Sequence, residues 1–154
     1  MIQRIQTVYY FLAAVLASIT LFGTSIFTFS KGVEHSVTAY GFFKGTSLQE
    51  KTDFWMLTVV QLILALVVIF SYKMRHRQLF LGWILALLNV MSSIWMLMGA
   101  NYYPLLGTDY ESQVANLTFH TAFYIHAIAF VFTILGNFAV RKDKKIIESL
   151  DRLR

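Results

Sequence analysis

The sequence predicts an all-α membrane protein, a four-transmembrane-helix bundle with a short amphipathic C-terminal helix. Three observations carry that expectation. Of 154 residues, 57% are hydrophobic and only 14% are charged, against ~45–50% and ~25% in a soluble domain. The charges leave four long gaps: 26 residues between Arg4 and Lys31, 19 between Asp53 and Lys73, 31 between Arg77 and Asp109, and 29 between Glu111 and Arg141. About 20 residues at ~1.5 Å each cross ~30 Å of hydrocarbon, so each gap can hold a span, the second with little to spare. Finally, Lys73, Arg75 and Arg77 crowd one short connection between two of these gaps. Such a basic loop stays in the cytoplasm and orients every other segment.

With that orientation, ten of the 13 basic residues fall on the cytoplasmic side and five of the 8 acidic ones outside, giving +7 within and −2 without. The basic pI therefore reflects membrane topology, and specific nucleic-acid binding is not expected. Both termini are predicted in the cytoplasm. The chain has no cysteine, which excludes disulfides, a thiolate nucleophile, iron–sulfur ligation and a lipid-modified N-terminal Cys.

The elements follow in order within a single membrane domain over residues 1–154. After a polar start, the first span is predicted over 7–29. It is too long and too weakly charged at its head for a cleaved signal peptide. Ala13, Ala14, Ala17 and Ser18 give it a small-residue face for close helix contact. The outer loop over 31–52 is punctuated by Gly32, Gly41 and Gly45, and its segment 33–43 is rich enough in Val, Thr, Tyr and Phe for a short extended hairpin. The second span covers 54–72, with Trp55 and Tyr72 near its ends as interfacial aromatics. The third covers 79–100. A second outer loop over 101–117 holds Pro104, Asp109 and Glu111, together with Asn116-Leu117-Thr118, a triplet too common to carry weight as a glycosylation site. The fourth span covers 118–140. In the tail over 141–154, Ile146, Ile147, Leu150 and Leu153 recur at helical spacing and form one apolar stripe. Glu148 and Arg152 stand four apart on the polar side, in the order that supports an ion pair.

Two sets of residues are candidates for function. The first is polar and lies within the spans. At ~1.5 Å per residue, Gln61, Ser92 and His126 lie roughly 10 Å from the outer end, with Asn89 and Ser18 roughly 5 Å deeper. His126, Thr133 and Asn137 share one helix face. Polar groups in hydrocarbon bond to one another, and doing so fixes helix order. The sharper alternative is a quinone, haem or proton-handling pocket around His126, Gln61 and Asn89. Haem fits poorly, because His120 and His126 are ~240° apart around their helix and no other span offers a histidine. His35 and His76 lie on opposite sides of the membrane, so no metal set is assembled either. The spans contain no Asp, Glu, Lys or Arg, and the one proline is in a loop; both facts oppose a transporter. No hydrolase, zinc-protease or phosphate-loop motif is present.

The second set is the cytoplasmic basic surface: Lys73, Arg75, Arg77, Arg141, Lys142, Lys144 and Lys145, with the tail stripe beside it. It reads either as a topology signal that meets anionic lipid or as a docking face for a protein partner.

The opening Met-Ile-Gln-Arg-Ile-Gln-Thr and the closing Asp-Arg-Leu-Arg resemble an uncharacterised family, a domain of unknown function, of small four-span bacterial inner-membrane proteins. The resemblance covers essentially the whole chain. It implies a four-helix membrane protein and brings with it no reaction, cofactor or catalytic residue. It also directs attention to the two ends, where Gln3, Arg4 and Gln6 could meet Asp151 and Arg152. The expected role is a non-enzymatic accessory or scaffold subunit in contact with membrane lipids and other inner-membrane subunits, secretion or insertion machinery among them. The alternative is a small redox or lipid-linked enzyme subunit with its pocket at His126.

Overall fold

The computed structural model describes residues 5–31, 33–102 and 115–151. Among them are four helices long and apolar enough to cross a membrane. They are α1 (Ile5–Ile19), α2 (Phe54–Phe70), α3 (Arg75–Tyr102) and α4 (Thr121–Asp151). Short 3-10 turns extend α1 through Phe22 and α2 through Lys73. α1 packs most extensively on α4, and the remaining neighbours are α3–α4, α1–α2 and α2–α3.

The all-α expectation fails at the end of the bundle away from the basic loop. There the chain builds a five-stranded antiparallel sheet from β1 (Phe27–Lys31), β2 (Val33–Val37), β3 (Gly41–Lys44), β4 (Ser47–Lys51) and β5 (Ala115–Phe119). The strand order is β4-β3-β2-β1-β5. The extended hairpin predicted within 33–43 corresponds to β2–β3, the middle of this larger sheet.

The cause of the failure is local. A charge-free run of 26 residues can hold a helix followed by a strand. The helical part of the first span ends at Phe22, where Gly23 adopts φ 74°, a left-handed stop that glycine tolerates at no steric cost. Beyond it the burial period changes from helical to alternating. Phe27 and Phe29 are buried, while Thr28 and Ser30 are half-buried, the period of a strand with one covered face. The same ambiguity misplaces the start of the fourth span, because Thr118 lies in β5 and α4 begins at Thr121.

The tail is helical, as its apolar stripe predicts, and it continues α4, which runs unbroken to Asp151. At ~1.5 Å per residue its 31 residues span about 46 Å, well over the ~30 Å hydrocarbon core. The proposed meeting of Gln3 and Arg4 with Arg152, the loop residues Pro104, Asp109 and Glu111, and Leu153 all lie outside the described residues.

Two cores hold the molecule together. One joins sheet to helices: Ile26, Phe27, Phe29, Val37 and Phe42 pack with Phe54 of α2, Met96 and Ala100 of α3, and Ala122 of α4. Backbone bonds from Trp55 N to Ala39 O (3.1 Å) and from His120 N to Ile26 O (2.9 Å) tie the sheet to the helix ends. The Tyr40 hydroxyl donates to Leu21 O at 2.8 Å. The other core lies in the opposite half of the bundle and contains Tyr10, Ala65, Val68, Leu85 and Val140.

Candidate functional site

The helices bury polar side chains along their shared seam. On α1, Gln6, Tyr10, Ala13 and Ala17 are buried. Positions 6, 10, 13 and 17 repeat every three or four residues, so they form one face. Ala13 and Ala17 are the small residues predicted to allow close approach. On α4, Ala122, His126, Ala129, Thr133, Asn137 and Val140 form the corresponding buried line, so His126, Thr133 and Asn137 do share a face.

Among the described residues, four side-chain bonds cross between helices within the seam. The Tyr10 hydroxyl donates to Asn137 Oδ1 at 2.7 Å. Asn137 Nδ2 in turn donates to Gly82 O at 3.1 Å. These two bonds link α1, α4 and α3 at one level. Gln61 Nε2 donates to Leu88 O at 2.9 Å, joining α2 to α3. Gln78 Nε2 donates to Val68 O at 3.3 Å near the basic end. Gln61 and Asn137 therefore do bond across helices, but to backbone carbonyls and to Tyr10 rather than to other members of the polar set. Asn89, Thr133 and Ser18 instead donate within their own helices, to Leu85 O, Ala129 O and Val15 O.

Two glycines make the Tyr10–Asn137 bond feasible. A Cβ on Gly82 would collide with Asn137 Oδ1 and crowd the Tyr10 hydroxyl, and one on Gly136 would crowd the Tyr10 ring. Sequence reasoning missed Tyr10, which sits near the end of its predicted span, where aromatics are common. The available signal was the pair of glycines inside otherwise bulky spans.

The proposed constellation of His126, Gln61 and Asn89 is brought together only in part. Gln61 and Asn89 line one small cavity with Ala13, Ala17, Leu85 and Thr133, of about 10 Å³. That is close to the least space that admits one water molecule. Gln61 Oε1 and Asn89 Oδ1 accept no bond among the described residues. His126 is fully buried and does not line this cavity; neither ring nitrogen has a hydrogen-bond partner among the described residues. Ser92 is also buried. His120 lies at the sheet, with Nε2 2.7 Å from Thr28 Oγ1. Among the described residues no three His, Asp or Glu side chains gather into a metal-holding group.

At the other end of the bundle, the basic residues come together from two helices. Lys73 and Arg77 are exposed. Arg75, in the first turn of α3, donates from Nη1 to Asp143 O at 3.4 Å and joins the loop to α4. The Arg141 guanidinium sits over the Trp83 ring, 5.6 Å from its centre, within cation–π range. Lys142 and Lys145 are exposed, and Lys144 is half-buried. Leu79, Phe138, Arg141, Lys142, Lys144 and Lys145 line a groove of about 700 Å³. Ile146 and Ile147 of the tail stripe are 49% and 38% exposed, so neither is covered by the bundle. The side chain of Leu150 lies outside the described residues.

No curated protein matches the chain. The model of a family described as a domain of unknown function, DUF4293, matches residues 2–153. The match bears out the resemblance carried by the two ends of the sequence, and the chain belongs to the DUF4293 family.

Proposed function

We propose that the protein is a non-enzymatic accessory or scaffold subunit of a larger assembly in the bacterial inner membrane. Its sheet lies on the outer side, and its basic loop and the end of α4 lie in the cytoplasm. The observation that carries this reading is α4. It outruns the bilayer by about ten residues and projects uncovered Ile146 and Ile147 beyond the basic cluster. Two isoleucines that remain 49% and 38% exposed on a helix gain roughly 1 kcal/mol each on completing their burial, which favours their packing against a partner chain. The polar seam supports the same reading, because its crossing bonds fix the helices against one another. The cavity beside Gln61 and Asn89, at about 10 Å³, is far too small for a quinone ring, and His126 does not reach it, which favours a scaffold over a redox pocket shared by these three residues.

The test is purification of the tagged full chain from native membranes in mild detergent. A stable particle heavier than the monomer is expected, with one partner at constant stoichiometry. Ile146→Asp together with Ile147→Asp should cut that partner's recovery roughly tenfold or more, with the amount of protein in the membrane unchanged. Recovery of the native chain alone, at monomer mass, overturns the reading.

A further inference from the structure

The groove at the cytoplasmic end combines two chemistries. Its floor is apolar and its rim is cationic. Phe138, Arg141, Lys142 and Lys145 occupy positions i, i+3, i+4 and i+7 of α4 and share one face. That is the spacing of an apolar stripe, occupied here by three cations above one aromatic ring. Residues 141–145 hold four cations and one acid, a net +3. The acid, Asp143, has its backbone carbonyl engaged by Arg75 from α3. That bond fixes the two helices relative to each other at the level of the groove. Leu79 of α3 closes the apolar side.

The level of the groove is set by the spans. Phe138 is 53% exposed on the outer surface of the bundle, and nearby Phe80 is 63% exposed, so the apolar side opens toward hydrocarbon. The cations begin one turn further on, where the proposed orientation has α4 leave the membrane. The Arg141 guanidinium sits over the Trp83 ring, and in that orientation a long basic side chain holds its charge at headgroup level. A soluble anion would use only the rim of such a site. A phosphate carrying acyl chains uses both rim and floor.

We infer that this groove binds an anionic phospholipid of the inner leaflet. The headgroup phosphate sits among Arg141, Lys142 and Lys145, and an acyl chain runs down over Phe138 and Leu79. Basic pockets between helices on the cytoplasmic side take such headgroups by charge. The inference rests on the membrane orientation proposed above and not on the accessory role, and its test leaves the partner purification untouched.

The full chain in mild detergent is mixed with phosphatidylglycerol, cardiolipin or phosphatidylcholine, and retained lipid is counted by native mass spectrometry. Phosphatidylglycerol and cardiolipin are expected to remain bound at collision energies that strip phosphatidylcholine. Lys142→Gln with Lys145→Gln should reduce their occupancy roughly tenfold or more. Both side chains are exposed, so the fold is not at stake. The control, Lys44→Gln with Lys51→Gln, removes the same charge from the sheet and should leave occupancy unchanged. Equal retention of phosphatidylcholine overturns the inference, as does unchanged occupancy in the Lys142/Lys145 variant. Displacement of the anionic lipids by millimolar inorganic phosphate also overturns it, since the site would then belong to a soluble anion.

Discussion

Gly82→Leu is expected to unfold the half of the bundle around Tyr10. Even a single methyl at position 82 overlaps Asn137 Oδ1 and presses on the Tyr10 hydroxyl. Overpacking a close-packed interior costs about 1–3 kcal/mol, and leucine adds three more carbons to the same space. Displacing Asn137 also breaks its bonds to Tyr10 and to Gly82 O. Each such bond is worth ~0.6 kcal/mol on average in a membrane, with a maximum near 1.7. The steric contribution therefore dominates. The total of about 3 kcal/mol or more is a large share of the ~5–15 kcal/mol that holds a typical domain folded. Thermal unfolding in detergent checks this, with Gly82→Ala expected to show a smaller loss. Gly82→Ala combined with Asn137→Ala should be less damaging than the two single losses added together, because the second change removes the atom that the first one strikes. Additive losses would show that this contact is not what constrains position 82.

Phe27→Ala is expected to have a comparable effect at the opposite end. Phe27 is fully buried in the core that joins β1 to the starts of α2 and α4 and the end of α3. Its ring also meets Phe119 of β5 edge to face, with centroids 6.3 Å apart. Truncating a buried phenylalanine costs about 3–5 kcal/mol. Because the Tyr10 core is separate, the loss should stay local, loosening the sheet while the helices remain packed. Trypsin added to the protein in mild detergent should then cut after Lys44 or Lys51 in the variant much faster than in the native protein. Equal resistance in the two would mean that the sheet is held by something other than this core.

The two substitutions also mark what was legible in the sequence. Charge spacing alone located the four helices long and apolar enough to cross a membrane, since excluding ions from hydrocarbon is a strong constraint that needs no neighbours. It could not find the ends of α1 or α4. Phe27, Phe29, Leu117 and Phe119 are as apolar as any membrane residue, and whether they belong to a helix or a strand depends on pairing partners up to about ninety positions away. The alternation Phe27-Thr28-Phe29-Ser30 was present but lay at the edge of a longer apolar run. In the seam, helical spacing correctly placed His126, Thr133 and Asn137 together. The bond from Tyr10 to Asn137 depends on the space left by Gly82 and Gly136 on two other faces, and no single helix reveals it. Arg75 and Asp143 meet through a backbone carbonyl, a contact that charge counting does not register.

The central claim is that a membrane bundle carries its sheet on one side and its cations on the other. The chain has no native cysteine, so single cysteines can report sidedness directly. Ser47→Cys in β4, Arg77→Cys beside the basic loop and Ser149→Cys near the end of α4 would each be treated with a membrane-impermeant maleimide in intact spheroplasts. The account predicts labelling at position 47 at once and at 77 and 149 only after lysis. Labelling of 77 and 149 from opposite faces, or of 47 and 149 from the same face, would contradict it.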